Sequence, residues 1–81
     1  MNVFVVACND LVKYGNGTKN VKIFLNKVDA KEYLKEEYLK KCKEENIEEP
    51  FKDNHSIGYQ YGYEYAFIED KYYWDIFDCV L

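Results

Sequence analysis

The chain has 81 residues, 48% of them apolar and 19% aromatic, so it is too hydrophobic for a disordered segment and long enough for one small domain. We therefore predict a single domain over residues 1–81. The formal net charge is −4, and all eleven cationic residues are lysine. The chain thus lacks the planar arginine group that reads guanine and holds phosphate in two places, which disfavours direct recognition of nucleic acid.

Residues 2–8 consist of two alternating sets of apolar side chains, which predicts a strand that is covered on both faces. A turn-rich stretch at 9–20 leads to a short second strand at 21–25, and the two strands should form a hairpin. The apolar run at the start is too short for a secretory signal, and no run approaches the roughly 20 residues that span a bilayer. We therefore expect a cytoplasmic protein, in a bacterial host cell.

Residues 27–45 are predicted to form a helix. Asn26 is a favourable N-cap, and Asp29 stands three positions later, where the acid of a capping box would lie. Apolar residues recur every three or four positions and form one stripe along this segment. The stripe comprises Ala30, Tyr33, Leu34, Tyr38 and Cys42.

The polar stretch at 46–56 contains the only proline and is predicted to be a loop. Two further strands are expected at 57–69 and 72–80, joined by a tight turn at 70–71. The predicted fold class is α+β with the order ββαββ. Two hairpins that flank one helix imply a four-stranded, mainly antiparallel sheet with one helix packed on one face.

Aromatic rings occupy every second position from Tyr59 to Phe67, and a period of two predicts that they share one face of a strand. The first strand is apolar on both sides, whereas a single helix can cover only one face of the sheet. We therefore expect an open apolar face that binds protein, either a second copy or a different target. In the alternative interpretation, loops and tyrosine hydroxyl groups make this face sufficiently polar to stay exposed.

Acidic residues concentrate in the second half of the chain, where residues 44–81 carry two lysines and ten acids. Five of these acids lie on or beside the last predicted hairpin. They form either a solvated edge that discourages aggregation or a patch that steers a basic partner towards the anchoring tyrosines. We favour the patch, with a predicted contact set of Tyr59, Tyr61, Tyr63, Tyr65, Glu64, Glu69, Asp70, Tyr72, Asp75 and Asp78.

The candidate catalytic and metal-binding residues are few. His55 is the only histidine, and Cys8, Cys42 and Cys79 lack the paired spacing of structural zinc sites. A nucleophilic pair of Cys8 with His55 would have no recognisable third group or oxyanion site. We therefore predict no metal, no cofactor and no catalysis. Base stacking on the rings is disfavoured because they lie in the acidic half of the chain.

The segments NVFVVAC and VKIFL, the helix NKVDAKEYLKEEYLKKCKEEN and the terminal YEYAFIEDKYYWDIFDCVL have a distinctive order and composition. In both respects the chain resembles small proteins encoded by phages and other mobile elements, some of which inhibit bacterial immunity, anti-CRISPR proteins among them. The resemblance implies an inhibitor that blocks a basic nucleic-acid-binding surface of a defence complex. Two other functions stay open: a homodimeric structural or regulatory protein, and a small thiol- or carboxylate-dependent enzyme.

Overall fold

The computed structural model describes residues 1–11, 19–51 and 58–80. Within these ranges the chain forms a five-stranded sheet and one long helix, and no helix there is both long and apolar enough to cross a membrane. The elements are β1 Asn2–Asp10, β2 Lys19–Phe24, α1 Lys27–Glu44, β3 Tyr59–Tyr61, β4 Tyr65–Ile68 and β5 Tyr72–Val80.

The strands lie in the order β2-β1-β5-β4-β3, and each neighbouring pair is antiparallel. The two nine-residue strands β1 and β5 pair along almost their whole length, so the two ends of the chain meet inside the sheet. The last strand, β5, is consequently the central one. Each residue of β5 has a neighbour on β1, and the first half of the strand also has neighbours on β4.

Helix α1 has a defined cap at each end. At its start, the Asn26 side chain accepts a hydrogen bond from the Asp29 backbone N–H at 2.9 Å, as the sequence predicted. At its end, Asn46 adopts a left-handed conformation with φ 60°, and the Ile47 N–H donates to the Cys42 carbonyl at 2.9 Å. This pattern is a Schellman motif, and it turns the side chain of Ile47 back towards the core.

The core lies between α1 and one face of the sheet. The buried side chains of the helix follow the predicted stripe, and Tyr38 and Leu34 are fully buried. Trp74, on the central strand, packs its ring edge against Tyr38 at a centroid distance of 5.9 Å. The cluster comprises Val6, Ala30, Leu34, Tyr38, Cys42, Tyr59, Ala66, Ile68, Tyr72 and Trp74.

The prediction of an α+β fold with one helix on an antiparallel sheet is confirmed, but the predicted four strands and the order ββαββ were wrong in detail. The segment predicted as one strand at 57–69 contains two strands, β3 and β4, which pair with each other. The chain reverses at Gly62, whose N–H donates to the Tyr65 carbonyl at 2.8 Å. Tyr63, which lies between Gly62 and Tyr65, has φ 65°, so the reversal is tight.

This reversal moves the aromatic rings onto different faces of the sheet. Directly opposed residues of paired strands point to the same side, and here Tyr61 opposes Ala66 while Tyr59 opposes Ile68. Odd-numbered residues of β3 therefore share a face with even-numbered residues of β4. The expectation that all rings from Tyr59 to Phe67 stand on one side was wrong for this reason.

Candidate functional site

The sheet face opposite α1 carries mainly apolar side chains. We call it the open face, and the register of the strands assigns its members. Ile23 is 62% exposed, Val21 57% and Phe77 47%, and Tyr65 and Tyr73 are also exposed. Among the residues whose side chains the structure describes, the open face comprises Val3, Val5, Ala7, Asn9, Val21, Ile23, Gln60, Tyr65, Phe67, Tyr73, Asp75, Phe77 and Cys79.

Cross-strand contacts organise the open face into an aliphatic and an aromatic half. On the aliphatic side, Val5 of β1 stands directly between Ile23 of β2 and Phe77 of β5. On the aromatic side, the rings of Phe67 and Tyr73 stack at a centroid distance of 6.1 Å. Side chains paired in this way across strands contribute to the stability of the sheet.

The ring of Tyr65 packs against Gly62, which lies in the turn between β3 and β4. A Cβ atom at Gly62 would lie only 2.1 Å from Tyr65 Cε1. The Tyr65 ring therefore occupies the space that the side chain of any other residue at position 62 would fill. Glycine at this position allows Tyr65 to lie flat against the backbone and to extend the aromatic half of the open face.

The predicted contact set does not form one surface. Tyr59 and Tyr72 are buried beneath the helix, and Tyr61 stacks on Tyr38 on that same side, at a centroid distance of 5.7 Å. Tyr63 is exposed at the β3–β4 turn. Among the predicted tyrosines, Tyr65 alone lies on the open face.

The acids are similarly dispersed among several positions. Glu64 forms an ion pair with Lys27 at 2.5 Å, and the hydrogen bond from Lys27 lowers the pKa of the Glu64 carboxyl group. Asp78 lies on the helix side of β5, because it opposes Phe4. Glu69 and Asp70 form the turn at the other end of β4. Only Asp75, of the five predicted acids, lies on the open face.

A second exposed aromatic cluster lies at the edge of the sheet, on the helix side. The ring of Tyr61 contacts Phe51 and Tyr63 at centroid distances of 5.3 and 5.4 Å. The ammonium group of Lys35 lies 5.3 Å from the Phe51 ring centre. These four residues line a cleft of about 410 Å³. Tyr61 and Tyr63 of the predicted contact set thus belong to this separate cluster.

A smaller cavity, of about 270 Å³, lies between α1 and the β1–β2 hairpin. Its wall includes Cys8, Asp10, Glu37 and Lys41. Burial, aided by the nearby Asp10 carboxylate, raises the pKa of the Cys8 thiol to about 11, so this cysteine is a poor nucleophile at neutral pH. His55, which was considered from the sequence as a partner of Cys8 and rejected, lies outside the described residues. Among the described residues, no three His, Cys, Asp or Glu side chains are arranged to hold a metal ion.

The sequence reasoning missed the aliphatic half of the open face. Val21 and Ile23 alternate with Lys22 on β2, a pattern that assigns the two apolar side chains to one face. Phe77 lies among acids and was not assigned to a face. No family model, no curated protein and no solved structure matches this chain. The case for function therefore depends on the geometry of the open face.

Proposed function

We propose that the protein is a non-catalytic protein-binding module and that the open face of its sheet is its contact surface. The observation that carries this proposal is the joint exposure of Ile23, Val21 and Phe77 on the face that the helix does not cover. Scattered apolar residues are normal on protein surfaces, but here Val5 of β1 lies directly between Ile23 of β2 and Phe77 of β5, so the apolar surface continues across three strands.

The size of the face agrees with such a role. Five strands about 4.8 Å apart, with about six residues each, give the sheet a face of roughly 500 Å². Contiguous apolar patches of a few hundred Å² commonly mark sites of protein association. An interface of this size falls at the small end of specific complexes, where a few central side chains supply most of the affinity.

The chemistry of the Cys8 cavity favours binding over the alternative of a thiol enzyme. A catalytic cysteine needs a lowered pKa, whereas burial raises the pKa of Cys8 to about 11. The carboxylates of Asp75 and Asp78 do not converge in one cleft, because they lie on opposite faces of the sheet, and the Glu64 carboxylate is paired with Lys27. Acid–base catalysis by a pair of carboxyl groups requires such convergence.

As the biological role of this module, we propose inhibition of a bacterial defence complex, in the manner of an anti-CRISPR protein. The resemblance in layout and composition supports this role, and so does a net charge of −4, which suits a basic nucleic-acid-binding surface. The direct test is the purified protein added to CRISPR effector complexes in a DNA-binding and cleavage assay. Unimpaired binding and cleavage at excess inhibitor, across the effector types tested, would count against this role.

The contact surface is tested with the double variant Ile23→Ser/Phe77→Ser. Both side chains are largely exposed in the isolated chain, so the free energy of unfolding should change little. Val28→Ser is the matched control, because Val28 is equally exposed but lies on the helix. We expect proteins captured by the wild type and by Val28→Ser to be lost on the double variant, with circular dichroism confirming that all three proteins are folded. Equal capture by all three would contradict the assignment of the surface.

A further inference from the structure

The open face carries one charged side chain at its centre. Asp75 lies on β5, the middle strand of the sheet, directly between Ala7 of β1 and Tyr65 of β4. Tyr73 and Phe77 flank it along its own strand and point to the same side. The carboxylate is therefore surrounded in all four in-plane directions by apolar or aromatic groups.

Among the described residues, the Asp75 carboxylate has no ion-pair partner, and neither has that of Asp78, whereas other acids of the helix side are paired. Within the part of the chain that the structure describes, no hydrogen bond or ion pair joins the Asp75 side chain to another residue. On the helix side, by contrast, Lys27 pairs with Glu64 and Lys71 pairs with Glu45. In the isolated chain Asp75 is exposed, so water satisfies its charge without cost.

Covering the open face would remove that water. A carboxylate buried among apolar groups without a counter-charge is strongly disfavoured, so any occupant must supply a cation at this position. A second copy of the chain would not do so. In a two-fold face-to-face dimer, a residue at the centre of the contact meets its own copy, and here two carboxylates would face each other.

We propose that the occupant of the open face is a different protein that presents an arginine or lysine from the middle of an apolar segment, and that this cation pairs with Asp75. This inference rests on the proposed function, because it requires the open face to be a docking surface. Arginine suits the site best. Its planar group can hold both carboxylate oxygens and can lie against the rings of Tyr65, Tyr73 and Phe77 at the same time.

The test uses a displayed library of random peptides, selected on the wild-type protein and counter-selected on Ile23→Ser/Phe77→Ser. Peptides that need the open face should carry an arginine or lysine flanked by aromatic or large aliphatic residues. Their synthetic forms should bind Asp75→Asn at least about tenfold more weakly than the wild type, because the change removes the charge that the buried cation requires. Asp78→Asn is the control, because it makes the same change on the same strand but on the other face, and it should bind as the wild type does.

Reversing the charges on both sides tests whether Asp75 pairs directly with the cation of the peptide. Asp75→Lys should abolish binding of the selected peptide. A peptide in which glutamate replaces the arginine should bind Asp75→Lys but not the wild type. Since position 75 is exposed, these variants should fold, which circular dichroism would verify.

The possible failures separate the two proposals. The selected peptides could depend on Ile23 and Phe77 but contain no cation and bind Asp75→Asn as well as the wild type. This result would contradict the proposal of a cationic partner but not the proposal that the open face is a docking surface. A wild-type dimer in sedimentation equilibrium that Ile23→Ser/Phe77→Ser dissociates would contradict the proposal of a cationic partner as well, because a second copy would then occupy the face. A selection without any peptide that depends on Ile23 and Phe77 would overturn both proposals.

Discussion

The hydroxyl group of Tyr38 donates a hydrogen bond to the backbone carbonyl of Pro50 at 2.5 Å. Tyr38 is fully buried at the centre of the helix stripe, and Pro50 belongs to the segment that follows the helix. One buried side chain thus joins the core to the returning chain. The same ring contacts Tyr61 and Trp74, so it connects α1 with both β3 and the central strand.

The replacement Tyr38→Phe should lower the free energy of unfolding by about 1 to 2 kcal/mol. It removes the hydrogen bond and leaves the Pro50 carbonyl without this donor, while the ring packing is kept. Urea denaturation followed by circular dichroism measures the change. Tyr63→Phe is the control, because Tyr63 is 70% exposed and its hydroxyl can bond to water, so its loss should cost less than about 0.5 kcal/mol. Equal effects of the two changes would contradict the role assigned to Tyr38.

The N-cap of α1 leads to a second prediction. Asn26→Ala removes the acceptor for the Asp29 N–H and should lower the free energy of unfolding by about 1 kcal/mol. Asn26→Asp retains a capping oxygen at the positive end of the helix dipole, but it replaces the amide that donates to Asp29 Oδ2 at 2.9 Å by a second carboxylate, so it should recover only part of the stability lost in Asn26→Ala. Thermal unfolding of the three proteins compares them directly. A loss of stability in Asn26→Asp as large as that in Asn26→Ala would show that the cap is not the source of the effect.

The sequence was sufficient to predict the helix and the two long strands because each of them has a clear periodic pattern. Helix α1 has a regular apolar stripe and a recognisable cap at Asn26, and it was predicted to within one residue at its end. The mainly antiparallel sheet followed from hairpins on either side of this helix. An apolar face that the helix does not cover was also expected, because one helix can lie on only one face of the sheet. The structure has exposed apolar side chains on that face, but they are Val21, Ile23 and Phe77 and not the whole ring stripe.

The position of the rings could not be predicted from their period alone. A period of two keeps residues on one face only while the strand continues, and the strand ends at Gly62. The sequence YQYGYEYAF was interpreted as uninterrupted because tyrosine favours strands, but the single glycine within it was the available signal of a turn. One undetected reversal therefore exchanged the faces of Tyr59 and Tyr61 relative to Tyr65.

The replacement Gly62→Ala tests the close contact between the reversal and the Tyr65 ring. The added Cβ atom would lie 2.1 Å from Tyr65 Cε1, so the ring must leave the backbone and turn outward. We expect a fall in the free energy of unfolding of about 1 to 2 kcal/mol and a displaced Tyr65 ring in the nuclear Overhauser contacts. In a Tyr65→Ala background the obstacle is absent, and Gly62→Ala should then cost less than half as much. Equal costs in both backgrounds would place the strain in the backbone of the turn.

The three cysteines should differ sharply in their reactivity. Cys79 is exposed, Cys42 is buried and Cys8 is half-buried, so a thiol reagent at pH 7 should label Cys79 first. Burial raises the pKa of Cys8 to about 11, so its labelling rate should keep rising with pH until about that value. Mass spectrometry of the labelled peptides resolves the three sites. A Cys8 that reacts faster than Cys79 at pH 7 would instead indicate an activated thiol and would support the alternative of a thiol-dependent enzyme.

The same raised pKa predicts how stability depends on pH in alkaline solution. The unfolded chain loses the Cys8 proton near the ordinary value of 9.0, whereas the folded chain retains it up to about 11. The contribution of the neutral thiol to the free energy of unfolding is therefore complete below pH 9 and falls as the pH rises towards 11. Cys8→Ala should remove this part of the alkaline destabilisation, which urea denaturation between pH 8 and pH 11 can measure. Cys79→Ala is the control, because an exposed thiol gains nothing from burial, and it should follow the wild-type curve. Coincidence of the Cys8→Ala and wild-type curves would mean that burial does not hold the thiol in its neutral form.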